Sequence, residues 1–385
     1  MASVLLVAAE ASSALFAQRL LEHWKKEKQD IQAFGVGSDA METLGFERLG
    51  KSEEMAVVGV AEIIEHYDKL KGVFHSLVAE ATKRKPQVAV IMDYPDFNLM
   101  LAKKLKALGI PVVYYITPQV WAWRKGRVNT IRKYCDKVFV LFPFEVPFFE
   151  KAGVPCQFVG HPLLDELDPK YDDPAYRKLH RSRYGITENE IVIGLMPGSR
   201  RAEIKHHLEL QMEVARRLHK DSPHVRILLM CAPTVDKEKL QDQLQDIRFP
   251  YMLLKTEPFE MIHLADFILA ASGTATLMVA LLEKPMVIMY KMKWLTYVLA
   301  KILVRGVKYF GIVNLISSRE VVPERWQLKA NPDELYRQMK RFVDDPAYAE
   351  NVRQDLRKIR SQLGSAGATR RVAEGLQVYF SKGVS

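Results

Sequence analysis

The sequence predicts an α/β protein built as two doubly wound domains. Three observations carry that expectation. Short apolar runs alternate with longer segments of helical period along the whole chain. At 385 residues the chain exceeds one ordinary core, so two domains of about 150–200 residues each are expected. A stretch rich in proline and charge after Val159 separates two such series.

The elements follow in order. The apolar runs are Val4–Ala8, Val88–Met92, Val112–Ile116, Val138–Phe142, Ile191–Met196, Ile227–Cys231, Phe267–Ala271 and Met286–Met289. Such runs suit parallel strands buried on both faces. The first opens "LLVAAEASSALFAQRLL" (5–21), a strand, a turn and a helix. Its turn holds no glycine, and Glu10 is the only charge before Arg19. Leu99–Leu108 and Ile204–Lys220 have helical period. "GHPLLDELDPKYDDPAYRKL", with Gly160, Pro162, Pro169 and Pro174, has the composition of a linker, and "EIVIGLMPGSR" starts the second series. The tail from about Asn331 is charged and helical. Two such domains are expected to leave a cleft at the carboxyl ends of their strands, where ligands sit.

Composition narrows the class. Apolar content of 48% and charged content of 26% suit a soluble globular protein. A net charge of +10 asks for an anionic partner: nucleic acid, a membrane surface or phosphorylated substrates. Cys135, Cys156 and Cys231 are scattered, which argues against a disulfide framework and for a reducing compartment. They show no metal-ligand spacing. The opening "MASVLLVAAEA" lacks a basic leader, so no signal peptide is expected. The longest uncharged stretch, Phe267–Leu282, has 16 residues and contains Ser-Gly-Thr; a span needs about 20. The expected location is the cytoplasm, with contact to a membrane surface left open.

Six stretches carry chemistry. In "LMPGSRRAEIKHHL" (195–208), Gly198 allows a tight turn, Ser199 is placed to cap the helix with Glu203 in its first turn, and Arg200 ends a strand, where it can clamp a phosphate. A capped helix with a surface arginine fits equally well. In "DFILAASGTATLMVALLEKPMVIMYKM" (266–292), Ser272, Gly273 and Thr274 open a second helix whose amides favour an anion. Two such turns in one domain suit a diphosphate. In "VIMDYPDFNLMLAKKL" (90–105), Asp93 ends a buried strand and is a candidate base for an attacking hydroxyl. Asp96 reads as a helix N-cap, and Asn98 follows it. "ITPQVWAWRKGRVNTIRKY" (116–134) interleaves Trp121 and Trp123 with Arg124, Lys125 and Arg127. That pattern fits nucleic acid, a sugar-stacking face or a membrane-interface belt, and no nucleic-acid-binding motif accompanies it. "MAVVGVAEIIEHYDKLKG" (55–72) and "MYKMKWLTYVLAKILVRGVKYFG" (289–311) set large apolar groups beside Lys and Arg. Two such segments in a basic chain favour a membrane surface over a core.

Taken together, "EMAVVGVAEII", "IMDYPDFN", "PQVWAWRKGRV", "LFPFEVPFFEKAGVPCQFVGHPL", "LMPGSRRAEI", "ASGTATL", "YKMKWLTYVLAK" and "VNLISSREVVPERWQ" resemble the bacterial lipid-A-disaccharide synthases, in the family's order, from about residue 50 to 330. The resemblance implies a GT-B fold: two Rossmann-like domains with parallel sheets facing a central cleft, and C-terminal helices crossing back. The implied domains are 1–162 (acceptor and membrane side), 163–355 (UDP-sugar side) and 356–385 (returning helices). It implies transfer of 2,3-diacylglucosamine from its UDP ester to the 6-hydroxyl of 2,3-diacylglucosamine 1-phosphate (lipid X). The products are a β(1→6) disaccharide, with inversion, and UDP. No metal and no cofactor are expected.

On that resemblance Asp93 and Glu10 are catalytic candidates. Ser199, Arg200, Ser272, Gly273, Thr274, Asn314, Glu324 and Gln327 are UDP-side candidates. Ala61, Ile63, Ile64, Asn98, Trp121 and Trp123 are expected to meet acceptor, acyl chains or membrane. The expected partners are the two glycolipids and the cytoplasmic leaflet of the inner membrane, with no nucleic acid; a homodimer is compatible. A non-catalytic glycolipid-binding homologue and another UDP-sugar enzyme of the same fold are the alternative readings.

Two departures stand out. The family's first turn reads Gly-Glu-Ala-Ser-Gly-Asp, where this chain has Ala9-Glu10-Ala11-Ser12-Ser13-Ala14. Where the family usually has a glutamate after "SGTATL", this chain has Met278, a weak acceptor. The first turn is expected to keep the family path with Ala9 and Ser13 at ordinary φ.

Overall fold

A computed structural model describes residues 2–55, 67–118, 120, 126–291 and 309–381. The chain forms two compact units, one of Met1–Asp165 with Leu363–Ser385 and the other of Glu166–Gln362. Each contains one wholly parallel sheet.

The first sheet comprises β1 (Ala2–Ala8), β2 (Ile31–Gly37), β3 (Glu47–Lys51), β4 (Val88–Met92), β5 (Val112–Tyr115), β6 (Lys137–Val140) and β7 (Cys156–Phe158), in the order β3-β2-β1-β4-β5-β6-β7. Chain progression reverses between β1 and β4, whose carboxyl ends pair Ala8 with Met92. The second comprises β8 (Ile191–Met196), β9 (Val225–Met230), β10 (Met252–Leu254), β11 (Phe267–Ala271), β12 (Met286–Tyr290) and β13 (Glu324–Trp326), in the order β10-β9-β8-β11-β12-β13. Its reversal lies between β8 and β11. Such switch points open a crevice at the strand ends.

The continuous apolar runs became the central strands. Val4–Ala8 and all of β4 are 0% exposed, as parallel strands covered on both faces must be. The runs left out β2, β3, β7, β10 and β13. Of these, β3, β7, β10 and β13 are short or polar strands toward the sheet edges, where one side needs no apolar cover. β2 is inner but interrupted by Gly35, whose φ is +139° and whose absent Cβ would lie 2.1 Å from the Leu6 carbonyl. Only glycine lets β2 approach β1 there.

The chain crosses to the second unit after Asp165 and returns after Gln362. That return is later than residue 356, because the helix Pro346–Gln362 stays with the second unit. Its Arg360 makes two 2.7 Å bonds to Asp172, and Arg357 pairs with Glu283. The last helix, Ala368–Phe380, packs on the helix Ala11–Lys26, where Trp24 meets Phe380 edge to face. Its N-terminus is capped by Asp165, which accepts from the amides of Gly367, Ala368 and Thr369 and from the Thr369 hydroxyl.

Candidate active site

In the first unit two carboxylates end the strands that flank the switch point. Glu10 follows β1 in extended backbone (φ −114°, ψ 156°) and opens the helix Ala11–Lys26. The Ser13 hydroxyl accepts from the Glu10 amide at 3.0 Å and donates to the Glu10 carbonyl at 2.9 Å. Neither Ala9 nor Ser13 has positive φ, as expected for a turn without glycine. The buried serine supplies bonds that hold this turn.

Asp93 follows β4 with φ +51°, and Tyr94 continues at +41°. The Asp93 amide donates to the carbonyl of Ile116, which has φ +60° just after β5. The Asp93 carbonyl accepts from the Tyr114 hydroxyl and from the Asn98 amide, both at 2.7 Å. Burial, with the Glu10 charge second, pushes the Asp93 carboxyl up to about 7. Asp96 is not the N-cap. The turn places Tyr94 there, and Asp96 pairs with Arg127 from the first helical turn. Asn98 does not meet an acceptor either. It is fully buried, and its amide donates to the Met92 and Asp93 carbonyls, so it braces the turn from below.

In the second unit a cavity of about 550 Å³ opens at the switch point between β8 and β11. Ser199, Arg200, Ser272, Gly273, Thr274 and Glu324 line it, as do Met278, Tyr290 and Trp326. After β8, Gly198 turns at φ +122°; a Cβ there would lie 2.6 Å from the Glu203 carboxylate. That carboxylate accepts from the Ser199 and Arg200 amides at 3.1 and 3.3 Å. Ser199 is therefore not the helix cap. Arg200 holds the N-cap position, Glu203 caps the turn from within the helix, and the Arg200 side chain stays mostly exposed. After β11, the Ser272 amide bonds to the Met289 carbonyl, leaving Gly273 and Thr274 exposed at the rim.

Glu324 is a polar anchor of the cavity wall. The Phe310 and Gly311 amides donate to one of its oxygens at 2.9 and 3.0 Å, and the Asn314 amide donates to the other at 3.1 Å. Burial raises its pKa. Asn314 is fully buried and lies behind the cavity lining. It donates also to the Val322 carbonyl and accepts from the Val321 and Val322 amides, so its hydrogen-bonding capacity is used within the protein. It holds Glu324 rather than a ligand. Gln327 begins the short turn Gln327–Lys329 at φ +46° and is outside the lining.

Three residues that sequence reasoning missed organise these sites. Tyr114 was read only as part of an apolar run. His207 accepts from the Lys291 amide through Nε2 and lies 2.9 Å from the Pro197 carbonyl through Nδ1, tying the turns after β8 and β12. One helical turn on, Gln211 donates to the Met196 and Leu269 carbonyls, tying the end of β8 to the middle of β11. The signal was available: a His and a Gln four apart on the apolar face of Ile204–Lys220. Ala61, Ile63, Ile64, Trp121 and Trp123 lie outside the described residues. No group of three potential metal ligands occurs among the described residues, and none of the described helices is long and apolar enough to cross a membrane.

Two doubly wound parallel units, with a cavity lined by a Ser-Gly-Thr turn at the second switch point and a carboxylate pair at the first, have the architecture of a GT-B-type enzyme. Solved structures share the fold. The UDP-GlcNAc 2-epimerase of Neisseria meningitidis bound to UDP-GlcNAc superposes with a TM-score of 0.66 at 14% identity, covering 97% of this chain and 99% of that one. An S. aureus MnaA–UDP co-structure gives 0.64 at 12%, covering 99% and 97%. The chain belongs to the Lipid-A-disaccharide synthetase family, which it matches over residues 4–374. The lipid-A-disaccharide synthase of Geobacter sulfurreducens is 38% identical over 96% of this chain and 95% of its own length. That of Myxococcus xanthus is 34% identical over 97% and 96%.

Proposed function

We propose that this chain joins UDP-2,3-diacylglucosamine to 2,3-diacylglucosamine 1-phosphate, releasing UDP and the β(1→6) disaccharide 1-phosphate. The observation that carries the proposal is the placement of Asp93, a half-buried carboxylate that follows β4 at the switch point, beside Glu10 after β1; burial raises its pKa to about 7. A general base works best with a pKa near the working pH. In this reading Asp93 takes the proton of the acceptor's 6-hydroxyl as its oxygen bonds to the donor's anomeric carbon. The bond from that carbon to the UDP oxygen breaks, the electron pair leaves with UDP, and a single displacement inverts the centre. Glu10 keeps the Asp93 carboxyl poised by charge. Arg200 and the turn Ser272–Thr274 neutralise the departing diphosphate, and Glu324 serves the nucleotide side.

The apolar–basic segments, with Ala61, Ile63, Ile64, Trp121 and Trp123, bring the enzyme to the cytoplasmic leaflet of the inner membrane; the net charge of +10 supports this. Incubating the purified full chain with both glycolipids tests the activity. UDP and a tetra-acyl disaccharide are expected in equal amounts. Their absence beside an active reference synthase would leave the non-catalytic reading.

A further inference from the structure

Asp93 sits among residues held in left-handed backbone. Asp93, Tyr94 and Ile116 all have positive φ. Asparagine and aspartate tolerate this region, whereas tyrosine and a β-branched isoleucine do so rarely. Such strain persists only where surrounding bonds over-determine it. Here the bonds converge on one residue, Asp93. Its amide is held by the Ile116 carbonyl at 3.2 Å, and its carbonyl receives both the Tyr114 hydroxyl and the Asn98 amide at 2.7 Å. The Asn98 oxygen has no hydrogen-bond partner, so the two carbonyls, not the oxygen, set the amide's orientation.

Tyr114 is the more informative of the two. It lies mid-strand in β5 and is 0% exposed. Phenylalanine would fill the same space without the cost of burying a hydroxyl. The hydroxyl is retained where it reaches the carbonyl of Asp93. We infer that Tyr114, with Asn98, is a positioning residue for the transfer reaction: it clamps the Asp93 peptide in its left-handed turn and so holds the carboxylate where it can take the acceptor's proton. The inference rests on Asp93 being the base. The titratable groups that act on that carboxylate are Glu10, from the turn after β1, and Tyr114 from β5; Tyr94 follows it in the chain, and Cys135 and the Asp96–Arg127 pair act in turn on Tyr114.

A double-mutant cycle on the full chain tests it, with Tyr114→Phe, Asp93→Asn and the pair together. Rates are referred to UDP-binding stoichiometry, so that loss of folded protein does not count. Tyr114→Phe is expected to lower kcat roughly tenfold and leave both KM values and UDP affinity unchanged. As the carboxyl gains water, the acid limb of the kcat/KM profile should move below about 7. In the Asp93→Asn background the same change should cost nothing further. An unchanged kcat, or an equal loss in both backgrounds, would overturn the clamp. Full activity in Asp93→Asn alone would remove the base itself, a result distinct from an inert Tyr114→Phe in an enzyme that Asp93→Asn disables.

Discussion

Glu10 and Asp93 end neighbouring strands, and the negative charge of the first resists ionisation of the second. A base must be deprotonated to act, so kcat/KM should fall as pH drops through about 7, with the limb reporting Asp93 in the free enzyme. Replacing Asp93 by Asn should lower kcat by about 10²–10⁴ while UDP binding in the other unit persists, measured by titration. At this scale sequence reading and structure divide clearly. Asp93 and Glu10 were legible because carboxylates at the ends of apolar strands have no packing duty. Asn98 and Asn314 were misread, because an amide that braces a turn and one that meets a ligand look alike in sequence. Burial alone separates them: both are 0% exposed and bond to backbone carbonyls.

The elements meet the sites through their ends. The helix Arg201–Asp221 carries His207 onto the turns after β8 and β12 and Gln211 onto the end of β8 and the middle of β11, and its Glu203 closes the preceding turn. That turn tolerates no side chain at Gly198. Gly198→Ala combines a left-handed φ with a contact of 2.6 Å to Glu203, so it should destabilise the second unit by about 1–3 kcal/mol. A lower Tm and weaker UDP binding, read by calorimetry, check it. The returning helix Ala368–Phe380 depends on a cap far away in sequence. Asp165→Ala removes four bonds at its N-terminus and should cost about 1–2 kcal/mol, with amide exchange quickening first in residues 368–380. The central strands were legible from continuous apolar runs. The edge strands were not, since a three-residue strand such as Glu324–Trp326 is recruited by its neighbour rather than by its own composition.

For the molecule as a whole, acidity and salt are the informative variables. His161 in the first unit, and the His180–His263 pair stacked in the second with 3.0 Å between Nδ1 atoms, are buried. Burial lowers them to about 3, 4 and 3 from 6.5. At these three sites the unfolded chain binds protons between about pH 6.5 and 3 that the folded chain refuses. Their contribution to stability is complete above 6.5 and declines as pH falls through that window, against an opposite contribution from Asp93, whose raised carboxyl holds its proton more tightly in the folded chain; thermal melts across pH will show the balance. With a net charge of +10, the full chain should bind vesicles containing anionic lipid and leave neutral ones, and salt should release it; co-sedimentation measures both. By itself the sequence determined two parallel α/β units, the strand-to-helix turns at Ser199–Arg200 and Ser272–Thr274, and the strand-end carboxylates Glu10 and Asp93. Apolar periodicity and strand-end placement are local properties that a chain carries openly. Only the tertiary structure decided that Tyr114 and Asn98 clamp Asp93, that Asn314 holds Glu324, and that Asp165 caps a helix two hundred residues on. Those are bonds to backbone groups distant in sequence or turned by strained φ, and their partners exist only once the strands are in register.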